Sequence, residues 1–216
     1  MTYSLVVRDS DGSFGVVTAS KSLAVGASVP AVAADAGALV TQAHTNTTFA
    51  ERGIAQLRAG CDAAQTVEHL ISSDPGRARR QLAVLGPTGD AAAWTGPDCT
   101  DAAGHLLGPG CVAAGNCLGG TPVLSALRDT FLTSAGALSH RLIAALASAE
   151  EAGGDRRGRQ SAALRVAGPA DDGSLRSTAR VDLRVDDHGD PVGELRRLLA
   201  LHDVFTGAAD PSRRSR

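Results

Sequence analysis

Thr2 directly follows Met1, and its type and position are suited to nucleophilic chemistry. A small second residue lets methionine aminopeptidase remove Met1, which leaves a threonine carrying both a hydroxyl group and a free α-amine. A hydroxyl is a weak nucleophile until a base takes its proton, and an α-amine with a pKa of about 7.7–8.0 is such a base near neutral pH. We therefore predict Thr2 as a catalytic nucleophile. The alternative is that threonine is only a permitted second residue.

The first 21 residues read as a tight β-hairpin that would position Thr2. Asp11–Gly12 is typical of a two-residue type I′ turn, in which both central residues take a positive φ. Continuing the ladder from that turn places Thr2 opposite Lys21, and opposed residues share a face of the sheet. A slip of one residue would place Ser20 or Ser22 there instead.

Lys21 is the only lysine in a chain that has 20 arginines. An ammonium group beside Thr2 would lower the pKa of the terminal amine and stabilise a developing oxyanion. We therefore predict a catalytic role for Lys21. The alternative is that its side chain only solvates the end of a strand.

The composition is that of a globular protein, since the 216 residues are 43% hydrophobic and 20% charged with a net charge of −2. No basic stripe with interleaved aromatics supports nucleic-acid binding, and no apolar run reaches membrane-spanning length. With no signal peptide before the first strand, we predict a cytoplasmic protein with no membrane partner. We expect a single domain over residues 1–206 and a disordered tail over 207–216.

The four cysteines contain no C-x-x-C pair, so a zinc ribbon has no support. In a reducing cytosol they are predicted to be free thiols, several of them buried. They are Cys61, Cys99, Cys111 and Cys117.

The hydrophobic pattern predicts strands, two helices, strands, two helices, strands and a last helix. Hairpins dominate, so the fold class is α+β with largely antiparallel strands, and paired helices suit layers that cover the outer faces of sheets. After the first hairpin, residues 23–30 are predicted as a loop, and residues 104–120 as a loop, one short strand and another loop. The predicted strands are 31–34, 37–43, 81–85, 91–95, 112–114, 161–166 and 180–185. The predicted helices are 48–59, one capped by Asp62, 121–134, 137–152 and one starting at Asp190-Pro191.

The opening hairpin, with Thr2 followed by Gly15–Ser20 on the second strand, resembles that of N-terminal nucleophile (Ntn) hydrolases, including proteasome-type β subunits. Over about residues 2–203 the chain is similar to one bacterial family in that superfamily, the domain of unknown function numbered 1028. The string from Gly153 to Leu164 is the most specific segment. The other matching segments are 2–9, 19–21, 24–26, 41–43 with Asn46, and 182–188. The resemblance implies a four-layer αββα sandwich and catalysis at Thr2, but no particular substrate.

Three polar residues alternate after the predicted strand 37–43, namely Gln42, His44 and Asn46, and they would share one face if the strand continues. The Asn46 amide could then donate to a tetrahedral oxyanion, so we predict it as catalytic and His44 as substrate-binding. The alternative is that Asn46-Thr47-Thr48 provides the turn chemistry that starts a helix.

Two loops supply further candidates for substrate binding, together with Ser20. Asn116 lies in a glycine-rich loop that could present N–H groups to an anion, or it could be a left-handed turn position. Arg157 could clamp a substrate carboxylate, or it could form a structural ion pair with Asp155 in a loop that also contains Gln160.

Asp186-Asp187-His188 at the end of a strand could suggest a metal site. Adjacent strand residues point to opposite faces, however, so the three cannot bind one ion without a bend. Capping of the last helix by Asp187 or Asp190 is the favoured role. We predict no metal and no cofactor.

These observations favour a hydrolase that cleaves an amide or related acyl bond of a small molecule with Thr2 as nucleophile. The alternatives are a non-catalytic protein of the same fold that binds a small molecule or a protein, and a metalloenzyme that uses residues 186–188. By analogy with other small αββα proteins we expect a homodimer.

Overall fold

The computed structural model describes residues 2–168 and 178–207, which form two antiparallel sheets and six α-helices. Met1 and residues 208–216 of the predicted tail lie outside the described residues. The strands are β1 (Thr2–Arg8), β2 (Phe14–Ser20), β3 (Pro30–Ala33), β4 (Gly37–Ala43), β5 (Arg80–Leu85), β6 (Ala91–Thr95), β7 (Gly104–Gly108), β8 (Cys111–Gly115), β9 (Ser161–Gly168) and β10 (Thr178–Val185). The helices are α1 (Val25–Ser28), α2 (Thr48–Arg58), α3 (Ala63–Ser72), α4 (Pro122–Thr133), α5 (Leu138–Glu151) and α6 (Pro191–Thr206).

The strand that begins at Thr2 lies in the middle of the larger sheet, whose order is β10-β9-β2-β1-β8-β7. The smaller sheet has the order β3-β4-β5-β6. All pairings are antiparallel, as the hairpin pattern predicts.

Side-chain alternation along β1 assigns its two faces to two different hydrophobic clusters. Tyr3, Leu5 and Val7 pack with side chains of α4, α5 and α6. Val6, on the other face, packs in a cluster that also contains Val40 and other residues of the smaller sheet. Helices α2 and α3 pack on the smaller sheet in a third cluster. Because Thr2 alternates with Tyr3, its side chain lies on the face of β1 that is directed toward the smaller sheet.

The predicted register of the first hairpin is wrong by one residue, because Thr2 pairs with Ser20 and not with Lys21. The loop contains three residues, with Gly12 alone in the left-handed region at φ 85°, and the Gly12 N–H donates to the Asp9 carbonyl at 3.0 Å. The Asp11 carboxylate accepts from the Ser13 N–H at 2.8 Å and from the Ser13 hydroxyl at 2.9 Å. These bonds stabilise a type I turn followed by a left-handed glycine, which shifts the ladder by one position.

Two further elements differ from the sequence prediction. Residues 104–120 contain a hairpin of β7 and β8 with a turn at Pro109-Gly110, where a single strand is predicted. The predicted loop 23–30 contains the one-turn helix α1, preceded by Ala24 in the left-handed conformation at φ 53°. A helix of four residues is too short to show a hydrophobic period, and the glycines at both ends of β7 resemble loop composition.

The longer helices confirm the prediction, since local signals fix their ends. Asp62 caps α3 in a full capping box with Gln65. Asp190, rather than Asp187, caps α6 by accepting from the Gly193 N–H at 3.1 Å. Gly153 and Gly154, at φ 126° and 49°, follow the end of α5.

The four cysteines are free thiols, as predicted, and Cys111 and Cys117 are buried. Among the helices of the described residues, none combines the length and the apolar character that a membrane span requires.

Candidate functional site

Four polar side chains lie next to one another across the larger sheet where β1 begins. Strand pairing places Thr2 beside Ser20 and Ser20 beside Ser161, and the Asn116 N–H donates to the Thr2 carbonyl at 3.0 Å. All four are buried, with Thr2 the most exposed at 5%. We call Asn116, Thr2, Ser20 and Ser161 the first polar row.

A second polar row, Gln42, Gln81 and Thr95, crosses the smaller sheet because these residues are paired along β4, β5 and β6. The Gln42 amide donates to Gln81 Oε1 at 2.8 Å. The Gln81 amide in turn donates to Thr95 Oγ1 at 2.9 Å and to the carbonyl of Gly115 at 2.8 Å, which lies in the larger sheet.

The two rows form one buried network around the backbone of Thr2. The Thr2 carbonyl accepts from Gln42 Nε2 at 3.4 Å and from Asn116 Nδ2 at 3.5 Å. Asn116 Nδ2 also donates to Gln81 Oε1 at 2.9 Å, and the Ser4 hydroxyl lies 2.7 Å from Gln42 Oε1. Buried amides with so many partners rigidify their surroundings, so the network fixes the backbone position of Thr2.

The hydroxyl of Thr2 donates to Ser20 Oγ at 3.3 Å. A nucleophilic hydroxyl needs a neighbour that can accept or relay its proton. Ser20 is such a neighbour, and it also lines a cavity of about 160 Å³.

The structure places Lys21 just beyond β2, with an exposed side chain. Its N–H donates to Asp155 Oδ2 at 2.9 Å, and its Nζ donates to the Arg159 carbonyl at 3.2 Å. Because Ser20 occupies the position opposite Thr2, the prediction that the ladder brings Lys21 there is wrong. Its catalytic role stays a prediction.

The alternation of Gln42, His44 and Asn46 is broken at Ala43, which adopts a left-handed φ of 68° at the end of β4. Gln42 is therefore fully buried between the sheets, whereas His44 is exposed and lies 2.9 Å from an Arg80 guanidinium nitrogen. The Asn46 oxygen accepts from the Thr48 hydroxyl at 2.8 Å. These contacts of Asn46 favour the turn that starts α2 over a role at Thr2.

Asn116 lies beside Thr2, although not as a left-handed turn residue, because Cys117 takes the positive φ of 51° instead. It lines a cavity of about 190 Å³ together with His44 and Cys99. The structure thus brings two of the predicted substrate-binding residues to one cavity. Asn116 Oδ1 is buried without a hydrogen-bond partner among the described residues.

Arg157 forms the ion pair with Asp155 that the sequence offered as an alternative, with Nη2 2.8 Å from Oδ2. The Asp155 side chain is 1% exposed and accepts from the backbone of Lys21 as well. This pairing fixes the loop after α5 against the end of β2.

The side chains of residues 186–188 each bind a different partner. Asp186 pairs with Arg184, Asp187 accepts from Gln160, and His188 Nδ1 accepts from the Asp190 N–H. Over residues 2–168 and 178–207, no cluster of three His, Cys, Asp or Glu residues is placed to hold a metal ion.

The functional candidates that the sequence missed are Gln81, Ser161, Tyr3 and Glu150. Gln81 shares a strand face with Ala83 and Leu85, which are buried and apolar. A polar residue on such a face is the sequence signal that could have identified Gln81 as a candidate. Tyr3 and Glu150 line the cavity of about 160 Å³ beside Ser20. In the sequence they are indistinguishable from an ordinary strand residue and a helix-end carboxylate.

Gly119 holds the loop after α5 in place, since its N–H donates to the Gly154 carbonyl at 2.9 Å. A Cβ at Gly119 would overlap the carbonyl oxygen of Gly153. We expect Gly119→Ala to destabilise the protein by about 2 kcal/mol and to lower Tm by about 6 °C, measured by thermal unfolding. Gly189→Ala is the control, because nothing lies within 4 Å of its Cβ. Equal Tm values for the two variants would contradict the packing role of Gly119.

Comparisons with known proteins place this architecture in a family. The family described as "Family of unknown function (DUF1028)" matches residues 2–195. The crystal structure of protein SPO2555 from Silicibacter pomeroyi, described with the same family, is 36% identical, with a TM-score of 0.86 over 94% of this chain and 86% of that one. Anbu (ancestral beta-subunit) from Yersinia bercovieri is 15% identical, with a TM-score of 0.42 over 97% of this chain and 98% of its own. No curated protein matches. The match over residues 2–195 shows that the chain belongs to the DUF1028 family.

Proposed function

We propose that the protein is an amidohydrolase of the Ntn type, in which Thr2 becomes the nucleophile once the peptide bond before it has been cut. The observation that carries the proposal is the position of the Thr2 hydroxyl. It lies 3.3 Å from Ser20 Oγ, in a row of polar side chains directed toward the second sheet. Its backbone is held by Gln42 and Asn116 at the same time.

In the proposed reaction, Thr2 Oγ attacks the carbonyl carbon of an amide while the α-amine takes the hydroxyl proton. The Ser20 hydroxyl, next to the Thr2 hydroxyl, relays this proton to the α-amine. The proton then passes to the leaving amine, the C–N bond breaks and an acyl ester forms on Thr2. Water, deprotonated by the same α-amine, hydrolyses that ester and restores the hydroxyl.

The proposal includes a four-layer αββα sandwich as the fold, and the hydrophobic clusters support it. One hydrophobic cluster contains residues of both sheets, and two further clusters join each sheet to its own helices. The opening hairpin also resembles that of Ntn hydrolases. From these clusters and this resemblance we infer that the two polar rows form the active site, between the sheets. A small-molecule substrate, a cytoplasmic location and a homodimer belong to the same proposal.

The burial of Thr2, at 5% exposure, favours the alternative of a non-catalytic binding protein. The exposed position of Lys21 favours the same alternative. The two functions differ in whether the Thr2 hydroxyl can be acylated in the native protein.

Mapping of a covalent adduct tests the proposal directly. We expect the natural protein to begin at Thr2, and a β-lactone probe to acylate the Thr2 hydroxyl, both read by intact and tandem mass spectrometry. The exposed Thr47, which makes no side-chain capping bond, is the internal control and should stay unlabelled. A retained residue before Thr2, or labelling spread over surface hydroxyls, would contradict the mechanism and leave the binding protein.

A further inference from the structure

The cavity of about 190 Å³ that Asn116 lines lies where β4 and β8 end. Its walls include His44, Arg79, Asp98, Cys99 and Asn116, and we call it the Asn116 cavity. Asn116 joins this cavity to the proposed nucleophile, because its N–H donates to the Thr2 carbonyl at 3.0 Å. A water molecule occupies roughly 30 Å³ in the liquid, so the space suits a group of about five or six heavy atoms.

The side-chain amide of Asn116 has only one possible orientation. Gln81 turns its nitrogen toward the carbonyls of Gly104 and Gly115, at 3.0 and 2.8 Å, because a carbonyl oxygen can only accept. Gln81 Oε1 therefore faces Asn116, which must present Nδ2 to it, at 2.9 Å. Asn116 Oδ1 is left over, buried and without a hydrogen-bond partner among residues 2–168 and 178–207. A buried acceptor without a donor is destabilising, so the arrangement indicates a ligand that donates to it.

The ring of His44, at another wall of the cavity, is fixed as a donor. Arg80 Nη1 lies 2.9 Å from His44 Nδ1, and an arginine side chain can only donate. Nδ1 is therefore the acceptor, and the proton of the neutral ring is on Nε2. In the part of the chain that the structure describes, His44 Nε2 makes no hydrogen bond. The cavity thus combines a free acceptor with a free N–H.

The charges around the cavity favour a neutral ligand. The Arg80 guanidinium is paired with Asp74 at 2.7 Å, and the two side chains are 15% and 8% exposed. Arg79 and Asp98 are exposed and carry opposite charges. The free acceptor and the free N–H are uncharged as well. Among the described residues, the walls therefore offer no net buried charge that would compensate a buried ammonium or carboxylate.

We propose that the Asn116 cavity binds a carboxamide group, whose N–H donates to Asn116 Oδ1 and whose oxygen accepts from His44 Nε2. A carboxamide is neutral and carries both a donor and an acceptor, as the two free groups require. The inference rests on the proposed function in one respect: the carboxamide belongs to the substrate that Thr2 cleaves. The substrate class is then peptides and other compounds with a second amide close to the one that is cut. Binding itself does not require an active Thr2.

Cys99 makes occupancy of the cavity measurable, because its half-buried thiol forms part of the wall. Cys61 is half-buried too but lies outside the cavity, just after α2, so it is the internal control. We expect propionamide to slow the modification of Cys99 by methyl methanethiosulfonate saturably and to leave Cys61 unaffected, as read by mass spectrometry. No saturable protection of Cys99, or equal protection of both thiols, would overturn the proposal.

Isosteres of propionamide test the contact with Asn116 without changing the protein. Methyl acetate keeps the size and a carbonyl oxygen but has no N–H, and propionate has a charged carboxylate in place of the amide. Each should protect Cys99 at least about tenfold more weakly, because Asn116 Oδ1 then stays without a donor. Protection by either compound equal to that by propionamide would refute the assignment of Asn116 as the acceptor.

A matched pair of histidine variants tests the donor. His44→Phe keeps a ring but removes the Nε2 proton, so propionamide should protect Cys99 about tenfold more weakly. His69→Phe, at an exposed histidine of α3 away from the cavity, should leave protection unchanged. Unchanged protection in His44→Phe, or equal losses in both variants, would contradict the role of His44. Thr2→Ala should be protected as the parent is, so a failure of Thr2 acylation and a failure of this cavity give different results.

Discussion

Under the proposed mechanism, replacing Thr2 by alanine is expected to abolish hydrolysis of every amide that the parent protein cleaves. The variant keeps the α-amine but removes the oxygen that attacks the carbonyl carbon, so no acyl ester can form. In hydrolases that use an activated hydroxyl group, loss of the nucleophile reduces kcat by about 10³-fold or more. The measurement is turnover of a library of acyl-aminocoumarin amides by the parent and the variant at equal concentration.

Two further variants are the controls for this comparison. Thr2→Ser keeps a hydroxyl and an α-amine, so it should retain a measurable part of the activity. Thr47→Ala removes an exposed threonine without a capping bond and should change nothing. Turnover by Thr2→Ala equal to that of the parent would exclude Thr2 as the nucleophile, while equal losses in Thr2→Ser and Thr2→Ala would point to a structural role.

The sequence predicted most elements correctly because their ends depend on residues close in the chain. Asp62, Pro122 and Pro191 mark the starts of α3, α4 and α6 through capping bonds or a fixed φ, and these effects act within one turn. Neither property requires knowledge of the tertiary structure.

The register of the first hairpin could not be fixed in the same way. Asp11-Gly12 is compatible with a two-residue and with a three-residue loop, and the two loops differ by one position at Thr2. The choice depends on the Asp11 carboxylate, which bonds to Ser13 when the backbone of Asp11 keeps a negative φ. The three-residue loop therefore places Ser20, and not Lys21, opposite Thr2.

The hydrogen-bond network around Thr2 could not be predicted from the sequence, for a different reason. Gln42 and Gln81 contact each other across 39 positions of the chain, and Asn116 reaches Gln81 across 35. Each residue alone is an ordinary polar residue at the end of a strand. Gln42 meets Gln81 because β4 pairs with β5, and Asn116 reaches Gln81 because the two sheets pack on each other. Hydrophobic periodicity encodes neither the strand pairing nor the sheet packing.

Gln81→Leu is expected to be among the most destabilising single substitutions in the protein. The Gln81 side chain is fully buried, donates to Thr95 and the Gly115 carbonyl, and accepts from Gln42 and Asn116. Leucine has a similar volume but leaves several of these groups without a partner, at about 1–3 kcal/mol each. We expect a loss of about 4 kcal/mol in the free energy of unfolding and a fall in Tm of about 10 °C.

The same substitution should also reduce acylation of Thr2, because Gln42 and Asn116 hold the Thr2 carbonyl and both depend on Gln81 Oε1. Gln160→Leu is the matched control, since the Gln160 amide makes one exposed bond, to Asp187, at 3.1 Å. It should cost less than about 1 kcal/mol. Urea unfolding and β-lactone labelling of the three proteins test both effects. A Gln81→Leu variant as stable as Gln160→Leu would mean that the network does not hold the two sheets, and unchanged labelling would mean that it does not position Thr2.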